Sequence, residues 1–147
     1  MFVNLDESWV SECNYHRRKW REPGDNNSLP QQLVSPRVSL IACLDSLGNI
    51  LLSITQVTTT SEVMRVFLHH LAAKLDKTRP GWRKNHILLM DGASYHTSEM
   101  TMDVLKKLKI PTMFLGPNSY NTAVCELLFA ALKTADLNPE RLSLGKK

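Results

Sequence analysis

A short apolar run that ends at an acidic residue most constrains the fold of this chain. Residues 87–90 (Ile-Leu-Leu-Met) lie between polar residues and the pair Asp91-Gly92, a pattern that predicts a buried β-strand. In open α/β sheets, ligands bind at the carboxyl ends of the strands, where loops and helix N-termini meet. Asp91 is therefore the first candidate for a chemical role.

The composition is that of an ordinary globular domain. Apolar residues make up 43% and charged residues 22% of the 147 positions, which is enough for one domain with its own core. We expect a single domain over residues 1–147, with a frayed tail over residues 137–147. No stretch approaches the roughly 20 apolar residues of a membrane span, and acids occur within the first ten residues, so neither a membrane partner nor a secretory signal is expected.

The three cysteines favour reduced thiols in an intracellular protein. Cys13, Cys43 and Cys125 are odd in number, far apart and outside any Cys-x-x-Cys pair. This arrangement argues against a zinc site or a disulfide framework. Each is interpreted as a small buried hydrophobic side chain.

A basic segment near the N-terminus is a candidate nucleic-acid contact. It comprises Arg17, Arg18, Lys19, Trp20 and Arg21, in a chain whose net charge is +4. Clustered cations beside aromatic rings suit a phosphate backbone with base stacking nearby. A solvated basic hairpin would have the same composition, so both interpretations stay open.

The remaining periodicity predicts a mixed sheet with helices packed on it. Strands are expected over residues 1–5, 37–44, 50–55, 86–90 and 110–115, and helices over residues 59–76, 98–109 and 122–135. Residues 45–49 have the composition of a hairpin turn, and Thr59 and Glu62 have the spacing of a capping box. Three antiparallel strands joined to a strand-helix-strand half give an α/β fold with five strands.

Three acids fall at or near the ends of these elements. Asp6 follows the first strand, Asp91 follows the fourth, and Glu126 lies one turn into the last helix. If the first and fourth strands are adjacent and parallel, Asp6 and Asp91 lie side by side. Clustered carboxylates repel one another, and Mg²⁺, which prefers oxygen ligands, relieves that repulsion. Two such ions about 3.5–4 Å apart support phosphoryl transfer; chance placement of three acids is the competing explanation.

The sequence around these acids resembles the catalytic core of the mariner-like DDE transposases, the DDE superfamily endonuclease domain. Three blocks carry the resemblance: residues 4–8 (Asn-Leu-Asp-Glu-Ser) with the basic segment, residues 88–96 (Leu-Leu-Met-Asp-Gly-Ala-Ser-Tyr-His), and residues 115–133. Between Asp91 and Glu126 lie 34 residues, the gap that this superfamily uses when its third acid is Glu.

The resemblance implies an RNase H-like fold with helices on both faces of the sheet. It implies that the catalytic metal ligands are Asp6, Asp91 and Glu126, holding two Mg²⁺ or Mn²⁺ ions. It places Glu7, His96 and Asn118 near the site, although a purely structural hydrogen bond by His96 is equally open. No small-molecule cofactor is implied.

The activity implied by the resemblance is DNA transposition. The family cuts DNA at transposon ends by water attack and then joins the freed 3′-hydroxyl to target DNA. Duplex DNA would be the partner, contacted by the basic segment, with a homodimer acting on paired ends inside the cell, in the nucleus of a eukaryote. The family's upstream DNA-binding region is expected to be missing from these residues.

Two other functions remain open from the sequence. The first is a domesticated or truncated transposase-derived domain that binds DNA or protein without cleavage. The second is a receiver domain in which Asp6 and Glu7 hold Mg²⁺ and Asp91 is phosphorylated. The predicted antiparallel hairpin and the 85 positions from Asp6 to Asp91 fit a receiver poorly.

Overall fold

The structure, a computed structural model, describes residues 1–10, 38–116 and 124–134. Its strands are β1 (Phe2–Val10), β2 (Val38–Asp45), β3 (Ile50–Thr55), β4 (Ile87–Met90) and β5 (Thr112–Phe114). Its helices are α1 (Ser61–Thr78), α2 (Glu99–Lys107) and α3 (Val124–Thr134), with a 3-10 turn at Trp82–Lys84. The predicted elements are all present, and β1 is longer than the sequence suggested.

The strands form one mixed sheet in the order β3-β2-β1-β4-β5. The β1–β2 and β2–β3 pairs are antiparallel, whereas β4 is parallel to both β1 and β5. This arrangement confirms the predicted sheet, and it makes the first and fourth strands adjacent and parallel, which is the condition for Asp6 and Asp91 to lie side by side. The antiparallel half excludes a receiver domain, because the doubly wound sheet of receivers is parallel.

The larger core lies between one face of the sheet and helices α1 and α2. Side chains of Val3 and Leu5 from β1 and of Leu88 and Met90 from β4 are buried there. Because successive side chains of a strand point to opposite faces, Glu7 shares this face with Val3 and Leu5. On the face of β1 that α1 and α2 cover, the apolar residues Val3 and Leu5 are thus followed by the acidic residue Glu7, near the end of β4.

Helix α3 covers the opposite face of the sheet. Its residues Cys125 and Phe129 are buried against Leu40 and Ala42 of β2. The expectation of helices on both faces is therefore confirmed. None of the described helices is long and apolar enough to cross a membrane.

Hydroxyl side chains cap α1 and α2, and the cap predicted for α1 is shifted by one residue. Ser98 caps α2 by accepting from the N–H of Thr101 at 3.3 Å. Helix α1 is capped by Thr60, which accepts from the N–H of Val63, and not by the predicted Thr59. The prediction was wrong by one residue because neighbouring threonines both satisfy the capping preference.

Candidate active site

Asp6 and Asp91 lie at the same end of the parallel β1–β4 pair. The pairing runs from Phe2 opposite Ile87 to Asn4 opposite Leu89 and then stops. Continuing this register for two residues sets Asp6 opposite Asp91, and adjacent strands are about 4.8 Å apart. The two acids therefore leave the sheet together, at the carboxyl end of β4.

The prediction that Asp6 ends the first strand was wrong. Strand β1 continues to Val10, which pairs with Val38 of β2, so Asp6 lies inside the strand. The reason is that β1 has two neighbours of different length: its pairing with β4 stops at Asn4, while its pairing with β2 continues. Asp6 therefore lies within the part of β1 that pairs with β2, but beyond the part that pairs with β4.

The Asp91 carboxylate is oriented by its own loop. Its Oδ1 accepts from the N–H of Ala93 at 3.0 Å and lies 2.6 Å from Nδ1 of His96. The N–H of His96 in turn donates to the carbonyl of Ala93 at 2.9 Å, which closes the turn. The side chain of Asp91 nevertheless remains 58% exposed.

His96 joins Asp91 to a buried carboxylate on β1. The imidazole is fully buried, and its Nε2 lies 2.9 Å from Oε1 of Glu7, whose side chain is 3% exposed. The second oxygen of Glu7 accepts from the hydroxyl of Tyr95 at 3.0 Å. Hydrogen bonds therefore involve both oxygens of Glu7 and both ring nitrogens of His96. They connect the Asp91 carboxylate to side chains that are buried in the core.

The carboxylates change the acid–base properties of the two rings. Burial alone would lower the pKa of His96, but hydrogen bonding and attraction from Glu7 and then Asp91 outweigh it and raise that pKa above its usual value. Burial and the Glu7 carboxylate raise the pKa of Tyr95 as well. Because ionised carboxylates only accept hydrogen bonds, an imidazolium with two donors matches the surroundings of His96.

Glu126 lies in the first turn of α3. Its side chain is exposed, whereas the preceding Cys125 is buried against β1 and β2. The N–H of Cys125 donates to Oδ1 of Asn4 at 2.9 Å. Asn4 precedes Asp6 by two residues on β1, so the two side chains leave the same face of the strand, the face that α3 covers.

Electrostatics links the three acids. Burial is the main reason that the pKa of Asp6 rises to about 6, and repulsion from Glu7, Glu126 and Asp91 adds to it, while the N–H of Glu7 opposes the shift. An excess of carboxylate around Asp6 is the charge environment that a hard divalent cation relieves. The donor set therefore fits Mg²⁺ or Mn²⁺ by its chemistry. Within the described residues, however, no three His, Cys, Asp or Glu side chains are arranged so that they could hold a metal ion.

Sequence reasoning missed two residues that help to build this site. In addition, two groups of predicted site residues lie in parts of the chain that the structure does not describe. Tyr95 and Asn4 were not singled out, although an amide at a buried strand position was a usable signal for Asn4. Asn118 and the basic segment at residues 17–21 lie outside the described residues.

Comparison with known proteins assigns the family. A family model described as DDE superfamily endonuclease matches residues 1–144. The chain belongs to this family. No curated protein matches the chain.

Solved structures with this fold include mariner transposases. The Mos1 mariner paired-end complex with Mn is 24% identical, with a TM-score of 0.72 over 90% of this chain and 41% of that chain. The catalytic domain of Mos1 mariner transposase is 22% identical, with a TM-score of 0.65 over 89% of this chain and 57% of that chain. This DDE superfamily endonuclease domain therefore has the RNase H-like transposase catalytic fold, and it spans less than two thirds of those proteins.

A viral assembly shows the same fold at lower identity. The simian T-cell lymphotropic virus intasome, solved in complex with a PP2A regulatory subunit, is 16% identical, with a TM-score of 0.63 over 90% of this chain and 38% of that chain. The shared fold thus extends beyond the mariner transposases.

Proposed function

We propose that this domain catalyses metal-dependent cleavage and joining of DNA, with Asp6, Asp91 and Glu126 as the metal ligands. The observation that carries the proposal is the parallel β1–β4 register, which brings Asp6 and Asp91 to one end of the sheet. The raised pKa of Asp6 supports it, because Glu126 and Asp91 both contribute to that shift. Two bound Mg²⁺ or Mn²⁺ ions would supply activation of the attacking oxygen and charge stabilisation at the leaving oxygen.

The residues of the chain have distinct roles in this proposal. The exposed side chain of Asp91 would ligate the metal, while its Oδ1 is held by the N–H of Ala93 and by Nδ1 of His96. Glu7 fixes the ring of His96 from the buried side. Such outer partners orient a ligating carboxylate, and their loss typically weakens metal affinity by about 10- to 100-fold.

Duplex DNA is the proposed substrate. Mos1 structures include a paired-end complex with a left transposon end and a strand transfer complex. By family likeness we propose the same two steps here: water attack at a transposon end, then attack of the freed 3′-hydroxyl on target DNA. The basic residues 17–21 would contact the phosphate backbone, and two copies would act on paired ends at DNA within the cell.

The domain organisation follows from the same proposal. We infer that residues 1–147 are one catalytic domain, and that recognition of transposon ends depends on a DNA-binding region elsewhere. Support comes from the family model, which matches nearly all of the chain, and from the 41% of the Mos1 chain that the match covers.

The test is nicking of duplex DNA in Mg²⁺ or Mn²⁺. We expect the Asp91→Asn variant to lose nicking while it keeps the native fold, because the substitution removes one charge and retains the shape. Glu99→Gln, which changes an exposed acid in the first turn of α2, is the matched control and should cut like the wild type. Undiminished nicking by Asp91→Asn would refute the metal role.

A second candidate is a transposase-derived domain that binds DNA without cleaving it. The observation in its favour is that no three potential ligands among residues 1–10, 38–116 and 124–134 are arranged to hold a metal ion. DNA binding by the wild type without nicking in either metal, and without measurable Mn²⁺ binding, would select this function.

A further inference from the structure

We propose that Asn4 is a positioning residue for Glu126, acting through the first turn of α3. The inference rests on the proposed function, because it concerns how one of the three proposed ligands is held. Asn4 is 4% exposed and lies on β1, two residues before Asp6. Asn4 is not itself one of the three proposed ligands.

The amide of Asn4 provides a helix cap from a distant strand. The first N–H groups of a helix have no partner within the helix, and a side chain just before the helix usually accepts from them. Here Oδ1 of Asn4 accepts from the N–H of Cys125 at 2.9 Å, across 121 positions in the sequence. The start of α3 is therefore tied to β1.

The sulfur of Cys125 strengthens the attachment. Its thiol lies 3.2 Å from the carbonyl oxygen of Asn4 and 3.6 Å from that of Ala42 on β2. Cys125 and Ala42 are both small and fully buried, which lets the helix approach the sheet closely. The first turn of α3 is thus held on two strands by one residue.

This attachment fixes the position of Glu126. Glu126 follows Cys125, and each helical residue is rotated by about 100° from the one before. A first turn held at Cys125 therefore directs Glu126 in one direction only. Because Asn4 and Asp6 leave the same face of β1 two residues apart, the turn held by Asn4 lies on the face of the sheet that carries Asp6.

The choice of an amide at position 4 has a physical reason. An aliphatic residue of the same size would leave the N–H of Cys125 without an acceptor. An aspartate would provide the acceptor but add another carboxylate on the face of β1 that already carries Asp6. Asparagine accepts the hydrogen bond without adding charge.

The first measurement is amide hydrogen exchange of the metal-free 147-residue chain. We compare Asn4→Leu, which removes the acceptor, with Asn4→Asp, which keeps it, and with Leu88→Ala, a core control on the opposite face of the sheet. We expect faster exchange in the first turn of α3 for Asn4→Leu only. Equal protection in Asn4→Leu and the wild type would overturn the proposal.

The second measurement is Mn²⁺ binding, titrated by electron paramagnetic resonance. Loss of a residue that orients a ligand typically weakens metal binding about tenfold or more. We expect Asn4→Leu to weaken Mn²⁺ binding by about that factor and Leu88→Ala to leave it within about twofold. In a Glu126→Gln background, Asn4→Leu should add no further loss, because the two residues act as one unit.

The outcomes separate the two proposals. If Glu126→Gln does not weaken Mn²⁺ binding, the proposed function fails at Glu126 and this inference fails with it. If Glu126→Gln weakens binding but Asn4→Leu does not, only the role of Asn4 is overturned. A full additional loss from Asn4→Leu in the Glu126→Gln background would also overturn it, because Asn4 would then act independently of Glu126. Should Asn4→Leu fail to fold, Asn4→Ser provides the same comparison, because its shorter side chain does not reach Cys125.

Discussion

Nε2 of His96 lies 2.9 Å from Oε1 of Glu7, and both side chains are buried although 89 positions separate them in the sequence. The other ring nitrogen of His96 lies 2.6 Å from Oδ1 of Asp91. A carboxylate from the core side of β1 thus orients an exposed carboxylate at the end of β4. Carboxylates that ligate metals in proteins are commonly held by hydrogen bonds in this way.

Replacing His96 should weaken both stability and metal binding. His96→Leu removes the ring nitrogen that pairs with the buried Glu7 carboxylate and leaves the hydrogen bond from Tyr95, and breaking a buried charged pair costs about 3 kcal/mol. We expect a loss of that size in urea unfolding, and Mn²⁺ binding about tenfold weaker. Tyr95→Phe, which removes one hydrogen bond to the same carboxylate, is the control and should retain Mn²⁺ affinity. A His96→Leu variant as stable as the wild type would contradict the importance of this network.

The basic segment should contribute to the salt dependence of DNA binding. This prediction depends on the sequence alone, because residues 17–21 lie outside the described residues. Each lost phosphate contact reduces the slope of log K against log salt by about 1, so replacing both Arg17 and Arg18 by Ala should flatten it by about 2. Replacing Lys106 and Lys107, exposed at the end of α2, by Ala is the charge-matched control. Equal slopes for both variants would indicate a non-specific charge effect.

Asp45 should stabilise the fold in a pH-dependent way. Its carboxylate accepts from the N–H groups of Leu47 and Asn49 and pairs with Arg79 near the end of α1. Burial alone would raise the pKa of Asp45, but the N–H of Asn49, the guanidinium of Arg79 and the other donors outweigh it and lower that pKa. Hydrogen bonds to a charged group suggest a loss of about 2 kcal/mol in the free energy of unfolding for Asp45→Ala at neutral pH.

The sign of the pH effect follows from the lowered pKa. The contribution of the Asp45 charge is complete above the unfolded pKa, about 3.9, and disappears as the pH falls through the lower pKa of the folded state. Urea unfolding from pH 7 to pH 2 should therefore show wild type and Asp45→Ala converging at the acidic end. Asp103→Ala, which removes an exposed acid from α2, is the control for the loss of one negative charge. A difference that stays constant down to pH 2 would contradict the assignment.

Local sequence patterns located most of the fold. Alternating and apolar runs identified β2, β3 and β4, because their side chains face a core on one or both sides. The end of β1 was misplaced because Asp6 and Glu7 were interpreted as the end of a strand. Glu7 is tolerated within the strand because its partner is His96, and a partner 89 positions away cannot be deduced from local pattern.

The candidate site was predictable in part for the same reason. Acids at element ends were visible, and the parallel pairing needed to bring Asp6 and Asp91 together was a reasonable topological expectation. Asn4 was not identified, since its function is defined only by contact with Cys125 on α3. Contacts across the sheet thus decide which polar residue in a strand supports the site.

The two acids at positions 6 and 7 also limit how the gene can vary. A single-residue insertion or deletion between Phe2 and Asp6 that shifted β1 against its neighbours would turn each of these side chains toward the opposite face. A deletion would move Glu7 into the place of Asp6 and leave His96 facing Ser8. An insertion would move Leu5 into the place of Asp6. Neither frame keeps both the acid beside α3 and the acid beside His96, so the length of this strand should be invariant among active relatives even where surrounding loops differ.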